Sequence, residues 1–172
     1  TLDVQRFRDS LTAETVIVSA MWANNETGVI FPVEEMARIA RERGILFHTD
    51  AVQAVGKIPI NLRDSAIDFL SLSGHKLHAP KGVGVLYVRK GTPFVHFMNG
   101  GHQERGRRGG TENVAAIIGL GRAGELAAAK MEEENTRVRA LRDKLEHGLL
   151  TSVPKALLNG HQELRLPNTA NI

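Results

Sequence analysis

Lys76 has the clearest context for covalent chemistry in this sequence. It closes the tetrapeptide Ser73-Gly74-His75-Lys76, which ends a strand-like apolar run that starts at Ile67. A lysine amine is a good nucleophile only when deprotonated, and a site that desolvates it or holds it as an imine suits it to a carbonyl cofactor. The glycine permits close backbone approach, and the nearby hydroxyl, imidazole and main-chain N–H groups can donate to a phosphate. The tetrapeptide therefore predicts a covalent site for a phosphorylated carbonyl cofactor.

Asp50 is the candidate for the acidic partner that such a cofactor needs. A carboxylate beside a ring nitrogen keeps that nitrogen protonated, and the protonated ring then withdraws electrons from a bound substrate. Asp50 follows the strand-like run Ile45 to Thr49, and Gln53 comes shortly after it, at a spacing suited to a ring oxygen. Both residues are therefore candidates for the same site as Lys76.

Alternating strands and helices must position these side chains. A helix is predicted from Pro32 to Arg43, with Gly44 as its stop signal. Nearly continuous apolar strands that alternate with helices predict an α/β fold, with a mostly parallel (mixed) sheet and helices on both faces. The binding crevice of such a sheet lies at the carboxyl ends of its strands, where Asn25, Asp50 and Lys76 are expected to converge. The predicted strands are Thr15–Met21, Ile45–Thr49, Ile67–Ser73 and Gly84–Arg89.

The second part of the chain reads differently. From Glu112 to about Leu150 the sequence predicts a shorter helix followed by a long one, and the charge run within it predicts a solvated helix face. We place a soft boundary near residue 130, with residues 1–129 in one domain and residues 130–172 forming a connecting helix and the start of another. The sequence has no initiator Met and ends on a strand-like segment, so we expect a fragment.

The composition restricts the kinds of site. The sequence has no cysteine, which excludes disulfides, thiolate metal sites and thiol nucleophiles within it. The net charge of +3 comes from 22 basic and 19 acidic residues that are interspersed, so it does not imply a polyanionic partner. No apolar run reaches about 18 residues, and the opening residues are polar, unlike a secretory signal. We expect a soluble, cytoplasmic protein with no membrane partner.

Each candidate residue also has a plainer interpretation. A lysine after a strand is usually solvated, Asp50 could cap a helix, and Asn24 and Asn25 are typical turn residues. His75 with His78 lacks the third ligand of a metal site, so no metal is expected. The segment Arg105–Gly110 looks like an arginine-glycine nucleic-acid segment, but it occurs once in a chain with 5% aromatic residues. The histidines could simply be core or surface residues: His48, His75 and His78.

Four blocks in order along the chain resemble one family throughout its length. That family is the cysteine desulfurases of the class-V aminotransferase-like pyridoxal-phosphate enzymes, particularly the nitrogenase-associated type. The resemblance implies the large domain of a fold-type I enzyme, followed by the start of a smaller α+β domain. The matching blocks are Asn24-Asn25-Glu26-Thr27-Gly28, the segment from His48 to Lys57, the segment from Ser71 to Gly84, and the segment from Gly100 to Asn113.

The resemblance implies a role for each matching residue. Lys76 would bind pyridoxal 5'-phosphate covalently and then move the substrate α-proton as general base and acid. Asp50 would pair with the pyridinium nitrogen, and Gln53 would hydrogen-bond the phenolic oxygen. Asn25 would lie against the cofactor and the substrate carboxylate.

The phosphate site implied by the resemblance involves two subunits. Ser73, Gly74 and His75 would hold the phosphate of their own subunit, and Thr111 would reach the phosphate of a neighbouring one. The active site would then be complete only in a homodimer. Arg107 and Arg108 are assigned to positioning the dimer loop in preference to binding the substrate.

The implied reaction converts L-cysteine to L-alanine and passes the sulfur through an enzyme persulfide to an iron–sulfur scaffold protein. The family's nucleophilic cysteine and its N-terminal segment have no counterpart in this sequence, so the fragment alone is expected to be inactive. Selenocysteine lyase or an aminotransferase relative is the alternative enzyme, because it would share the cofactor residues. The alternative that is not an enzyme is a nucleic-acid-binding module, based on the segment Arg105–Gly110.

Overall fold

A four-stranded mixed sheet forms the centre of the structure, a computed structural model that describes residues 2–172. The first three strands run parallel, and the fourth pairs antiparallel with the third at one edge. The mixed sheet with flanking helices is confirmed, and each strand ends within one residue of its predicted end. The strands, in both chain order and sheet order, are β1 (Ile17–Met21), β2 (Leu46–Asp50), β3 (Phe69–Ser73) and β4 (Gly84–Val88).

Helix α2 (Val33–Glu42) packs against β1 and β2, as its apolar pattern predicts. Its inward residues join Phe47, Ile67 and Leu70 of the sheet region in one hydrophobic cluster. Gly44 follows the helix with a φ of +70°, a left-handed conformation that lets the chain reverse into β2. The buried side chains of the helix are Val33, Met36, Ala37, Ile39 and Ala40.

Two short helices were not predicted. Helix α1 (Val4–Ser10) begins after Asp3, whose Oδ1 accepts from the Arg6 N–H at 3.0 Å, and it packs against α2. Helix α3 (Gln103–Gly106) is a single turn in the loop before the last helix. Both are too short for apolar periodicity to indicate them.

A single helix, α4 (Val114–Ser152), replaces the shorter and longer helices that the sequence predicted, so that prediction was wrong. Asn113 caps it, since its Oδ1 accepts from the Ala116 N–H at 3.2 Å. The helix continues through Gly119, where a Cβ would lie 2.8 Å from the Pro80 ring, so the glycine serves close packing. The boundary near residue 130 falls inside α4 and stays a prediction. No helix within residues 2–172 is apolar enough over a sufficient length to cross a membrane.

The segment after α4 returns to the turn that follows β1. Main-chain hydrogen bonds of 2.9 and 2.8 Å join residues 28–30 to residues 164–166. Between them, the Arg165 guanidinium forms a buried ion pair with Glu146 of α4. The last segment is therefore fixed to both α4 and the β1 turn.

Candidate active site

The carboxyl ends of the parallel strands bring three predicted site residues to one edge of the sheet. Asp50 ends the middle strand, opposite Met21 of β1 and Ser71 of β3. Asn25 lies in the turn after β1, and Lys76 lies in the 3-10 turn that follows β3. Because β1, β2 and β3 are parallel neighbours, their carboxyl ends lie together at this edge, as expected.

Asp50 is exposed at this edge and is only partly engaged by its own turn. Its Oδ1 accepts from the Val52 N–H at 2.9 Å, a contact within its own turn, and no helix begins here for it to cap. Its Oδ2 makes no hydrogen bond within residues 2–172. One carboxylate oxygen is therefore available to a ligand at the strand ends.

The turn after β3 (Gly74–Leu77) holds its glycine by main-chain contacts. The Gly74 N–H donates to the Val83 carbonyl at 2.9 Å, and a Cβ at Gly74 would lie 2.8 Å from Val83 Cγ1. This N–H is therefore engaged within the protein, and close packing explains the glycine. Ser73 Oγ lies 2.8 Å from His75 Nδ1, so one hydrogen of this hydroxyl–imidazole pair is shared between the two groups, and the pair keeps at least one other N–H or O–H for a phosphate.

Lys76 is exposed and borders a cavity of about 560 Å³ between the β3 turn, the turn after β2 and α4. This volume is within the range of small-molecule sites, roughly 300–1,000 Å³. Asp50, Gln53, Ser73 and His75 do not border the cavity, which therefore adjoins the strand-end residues through Lys76. The basic side chains around it are Lys57, Lys76, Arg122 and Lys130.

Lys57 is a candidate functional residue that was not among those predicted from the sequence. Its Nζ donates to Gln53 Oε1 at 3.3 Å, and Asn135 Nδ2 of α4 donates to its main-chain carbonyl at 2.6 Å. Burial lowers the pKa of Lys57, and the positive charge of Lys76 lowers it further. The available signal was the four-residue spacing from Gln53, which places two side chains on one side of a helical turn.

His48 bridges all three parallel strands near the same edge. Its Nδ1 lies 2.7 Å from Ser19 Oγ of β1, and its Nε2 lies 2.8 Å from Ser71 Oγ of β3. Burial lowers the pKa of His48, and the nearby Asp50 carboxylate partly opposes that change. Burial between the strands therefore favours the neutral form of the His48 ring.

The lowered pKa of His48 predicts a pH-dependent stability. An unfolded histidine takes up a proton below about pH 6.5, whereas folded His48 does so only at lower pH. The free energy of unfolding should therefore fall as the pH drops from about 6.5 through the folded pKa, by at most about 1.4 kcal/mol per pH unit. Urea unfolding between pH 5 and 8 measures this, and His48→Gln should flatten the profile. His147→Gln, at an exposed site, is the control; equal flattening by both variants contradicts the assignment.

Asn24 and Asn25 occupy different positions in the turn after β1. Asn24 Oδ1 accepts from the N–H groups of Glu26 and Thr27 at 2.9 and 2.8 Å, so Asn24 shapes the turn. Asn25 is exposed, and its role toward a cofactor stays a prediction. Thr111 is also exposed, in the loop before α4, and makes no hydrogen bond within residues 2–172. Its contact across a dimer likewise stays a prediction.

Known proteins are similar to this chain in sequence and in fold. The chain is 64% identical over 171 residues to the cysteine desulfurase NifS of Azotobacter vinelandii, covering 99% of this chain and 42% of that protein. A solved NifS-like protein superposes with a TM-score of 0.93 at 42% identity, covering 98% of this chain and 46% of that one. The structure of SspA in complex with cysteine gives a TM-score of 0.69 at 42% identity, over 72% of this chain and 36% of that one.

The chain spans less than half the length of these relatives. The family model for the class-V aminotransferases nevertheless matches residues 1–172, the whole of the sequence. That match covers the parallel strands, the lysine turn after β3 and the long helix α4 alike. Because the family model matches the whole sequence, including the strands of the sheet, the chain belongs to the class-V aminotransferase family.

Proposed function

We propose that this chain supplies the cofactor-holding part of a pyridoxal-phosphate-dependent cysteine desulfurase, a sulfurtransferase. The observation that carries the proposal is that Asp50 and the turn that contains Lys76 lie at the carboxyl ends of two neighbouring parallel strands. The relationship to proteins named cysteine desulfurases supports this reaction over selenocysteine lyase or aminotransferase chemistry. A related structure described as a complex with cysteine supports that substrate.

The residues present fit pyridoxal 5'-phosphate. Asp50 Oδ2 has no hydrogen-bond partner within residues 2–172 and can accept from a protonated ring nitrogen. The exposed Lys76 amine offers a nucleophile, and the Ser73–His75 pair offers a hydrogen-bond donor for a phosphate. When bound, this cofactor supplies an electron sink for the substrate α-carbon.

Each side chain then has its own task. The Lys76 Nζ removes a proton from the substrate α-carbon and returns it, as general base and acid. The Asp50 carboxylate keeps the ring nitrogen protonated, and Gln53 donates to the phenolic oxygen. Asn25 orients the substrate carboxylate. A thiolate must attack the substrate sulfur as the carbon–sulfur bond breaks; because these 172 residues contain no cysteine, that thiol comes from elsewhere.

The assembly we propose is a homodimer in which Thr111 reaches the phosphate site of the neighbouring subunit. The loop before it exposes apolar side chains, with Val95 at 89% and Phe97 at 96% of full exposure. Contiguous exposed apolar residues mark interaction surfaces, which supports an interface here. We further propose an iron–sulfur scaffold protein as the sulfur acceptor, in the cytoplasm of a nitrogen-fixing cell, with no nucleic-acid or membrane partner.

Product analysis tests the proposed reaction. The intact protein, loaded with pyridoxal 5'-phosphate and given L-cysteine with a reducing thiol, should form L-alanine and sulfide in equal amounts. Asp50→Ala should lower both products together, because the ring nitrogen then lacks its acidic partner. A keto acid in place of alanine would indicate an aminotransferase. Turnover of selenocysteine without turnover of cysteine would indicate the lyase.

A further inference from the structure

The Lys57–Gln53 hydrogen bond engages one end of the glutamine amide within the protein. The Lys57 Nζ donates to Gln53 Oε1 at 3.3 Å. An ammonium group has only donors, so it can bond the amide oxygen but not the amide NH₂. The contact therefore engages Oε1 and leaves the two N–H donors of Nε2 for another partner.

The partner predicted for Gln53 is the phenolic oxygen of the cofactor, which accepts a hydrogen bond when it is ionised. An amide turned the other way would place Oε1 against that oxygen, so two acceptors would face each other. The orientation of the amide, and not only its presence, therefore decides whether Gln53 stabilises the bound cofactor.

Lys57 is itself held by the long helix. The Asn135 Nδ2 of α4 donates to the Lys57 main-chain carbonyl at 2.6 Å, which fixes the backbone of the turn. The Lys57 side chain is half-buried, so fewer alternative positions are open to it than to a solvated lysine. A lysine restrained in this way can serve as a fixed donor.

We propose that Lys57 is a positioning residue, which holds the Gln53 amide with its NH₂ group toward the cofactor's phenolic oxygen. Lys57 acts through Gln53 and does not contact the reacting atoms. The inference rests on the proposed function, since it requires pyridoxal 5'-phosphate at the strand ends. The effect of Lys57 on cofactor binding should therefore depend on the presence of Gln53.

A double-mutant cycle on the intact protein tests this dependence. The dissociation constant of pyridoxal 5'-phosphate and the pH titration of its visible absorption band are measured for each variant. Lys57→Met and Gln53→Ala should each weaken binding by about fivefold, the value of one net hydrogen bond. The double variant should bind no more weakly than Gln53→Ala, because Lys57 then has nothing left to orient. The midpoint of the pH titration of the absorption band should likewise be the same in the double variant as in Gln53→Ala.

Three further variants separate orientation from charge and from folding. Lys57→Arg keeps a donor and should bind like wild type. Gln53→Glu keeps the Lys57 contact but replaces the NH₂ group by a second acceptor, so it should bind at least as weakly as Gln53→Ala. Lys130→Met removes a positive charge from the same cavity without touching Gln53, and should leave binding unchanged.

The outcomes that overturn the inference are specific. Additive losses from Lys57→Met and Gln53→Ala, an unchanged Lys57→Met, wild-type binding by Gln53→Glu, or an equal loss from Lys130→Met would each contradict it. If Gln53→Ala weakens binding but Lys57→Met does not, the positioning role alone fails. If the wild-type protein shows no visible band with pyridoxal 5'-phosphate, the proposed function itself fails.

Discussion

Lys76→Ala is expected to abolish covalent binding of pyridoxal 5'-phosphate and to lower the rate of cysteine desulfuration by at least about 10²- to 10⁴-fold, the usual contribution of a general acid–base group. Lys76 lies in the turn after β3, at the sheet edge where Asp50 ends β2. The alanine variant lacks the amine that we propose as both the group that bonds the cofactor and the base that moves the α-proton. Visible absorbance after addition of the cofactor, followed by an alanine assay, measures both effects.

Lys81→Ala is the matched control for this variant. Lys81 is also exposed and lies five positions further on, but it does not border the cavity beside Lys76. We expect it to keep the absorption band and the activity. A Lys76→Ala protein that still forms the visible band would show that another amine holds the cofactor.

Breaking the buried ion pair on one side should cause the largest loss of stability. The side chains of Arg165 and Glu146 are only 3% and 8% exposed, so removing either one leaves a buried charge without a partner. Arg165→Met or Glu146→Leu alone should lower the free energy of unfolding by roughly 3–5 kcal/mol. Urea unfolding of the intact protein measures the loss.

The double variant Arg165→Met/Glu146→Leu should recover most of that stability. Several polar atoms of the pair have no hydrogen-bond partner within residues 2–172, so an apolar pair removes a desolvation cost together with the attraction. The control is Arg137→Met, which breaks the exposed Arg137–Glu134 pair on α4 and should cost about 0–1 kcal/mol. A single variant at the buried pair that costs no more than this control would contradict the account.

The positions of Asp50 and Lys76 could be predicted because local patterns determine them. Apolar runs of strand length indicated where β2 and β3 end, and the carboxyl ends of parallel strands share one edge of a sheet. The antiparallel direction of β4 does not disturb that edge, since β4 lies beside β3 and outside the parallel strands. The sequence pattern was therefore sufficient to predict that Asp50 and Lys76 lie at the same edge of the sheet.

The rest of the site depends on contacts between distant segments, which no local pattern records. The continuity of α4 is an example, because Gly119 suggests a weak helix until its contact with Pro80 is seen. The Gly74 N–H was predicted to be a phosphate donor, and its bond to the Val83 carbonyl emerges only from the fold. Lys57 acquires its environment from α4, 78 positions away at Asn135. Tertiary packing decided each of these features.

We propose that Lys76, and not its neighbour Lys57, forms the covalent bond to the cofactor. Lys57 is a fair competitor, since it borders the same cavity as Lys76 and its pKa is lowered by burial and by the charge of Lys76. Borohydride reduces a carbon–nitrogen double bond to a stable single bond, and digestion with mass spectrometry then locates the labelled lysine. We expect the phosphopyridoxyl label on Lys76 of the intact protein. A label on Lys57, or no labelled lysine in residues 1–172, would contradict this assignment.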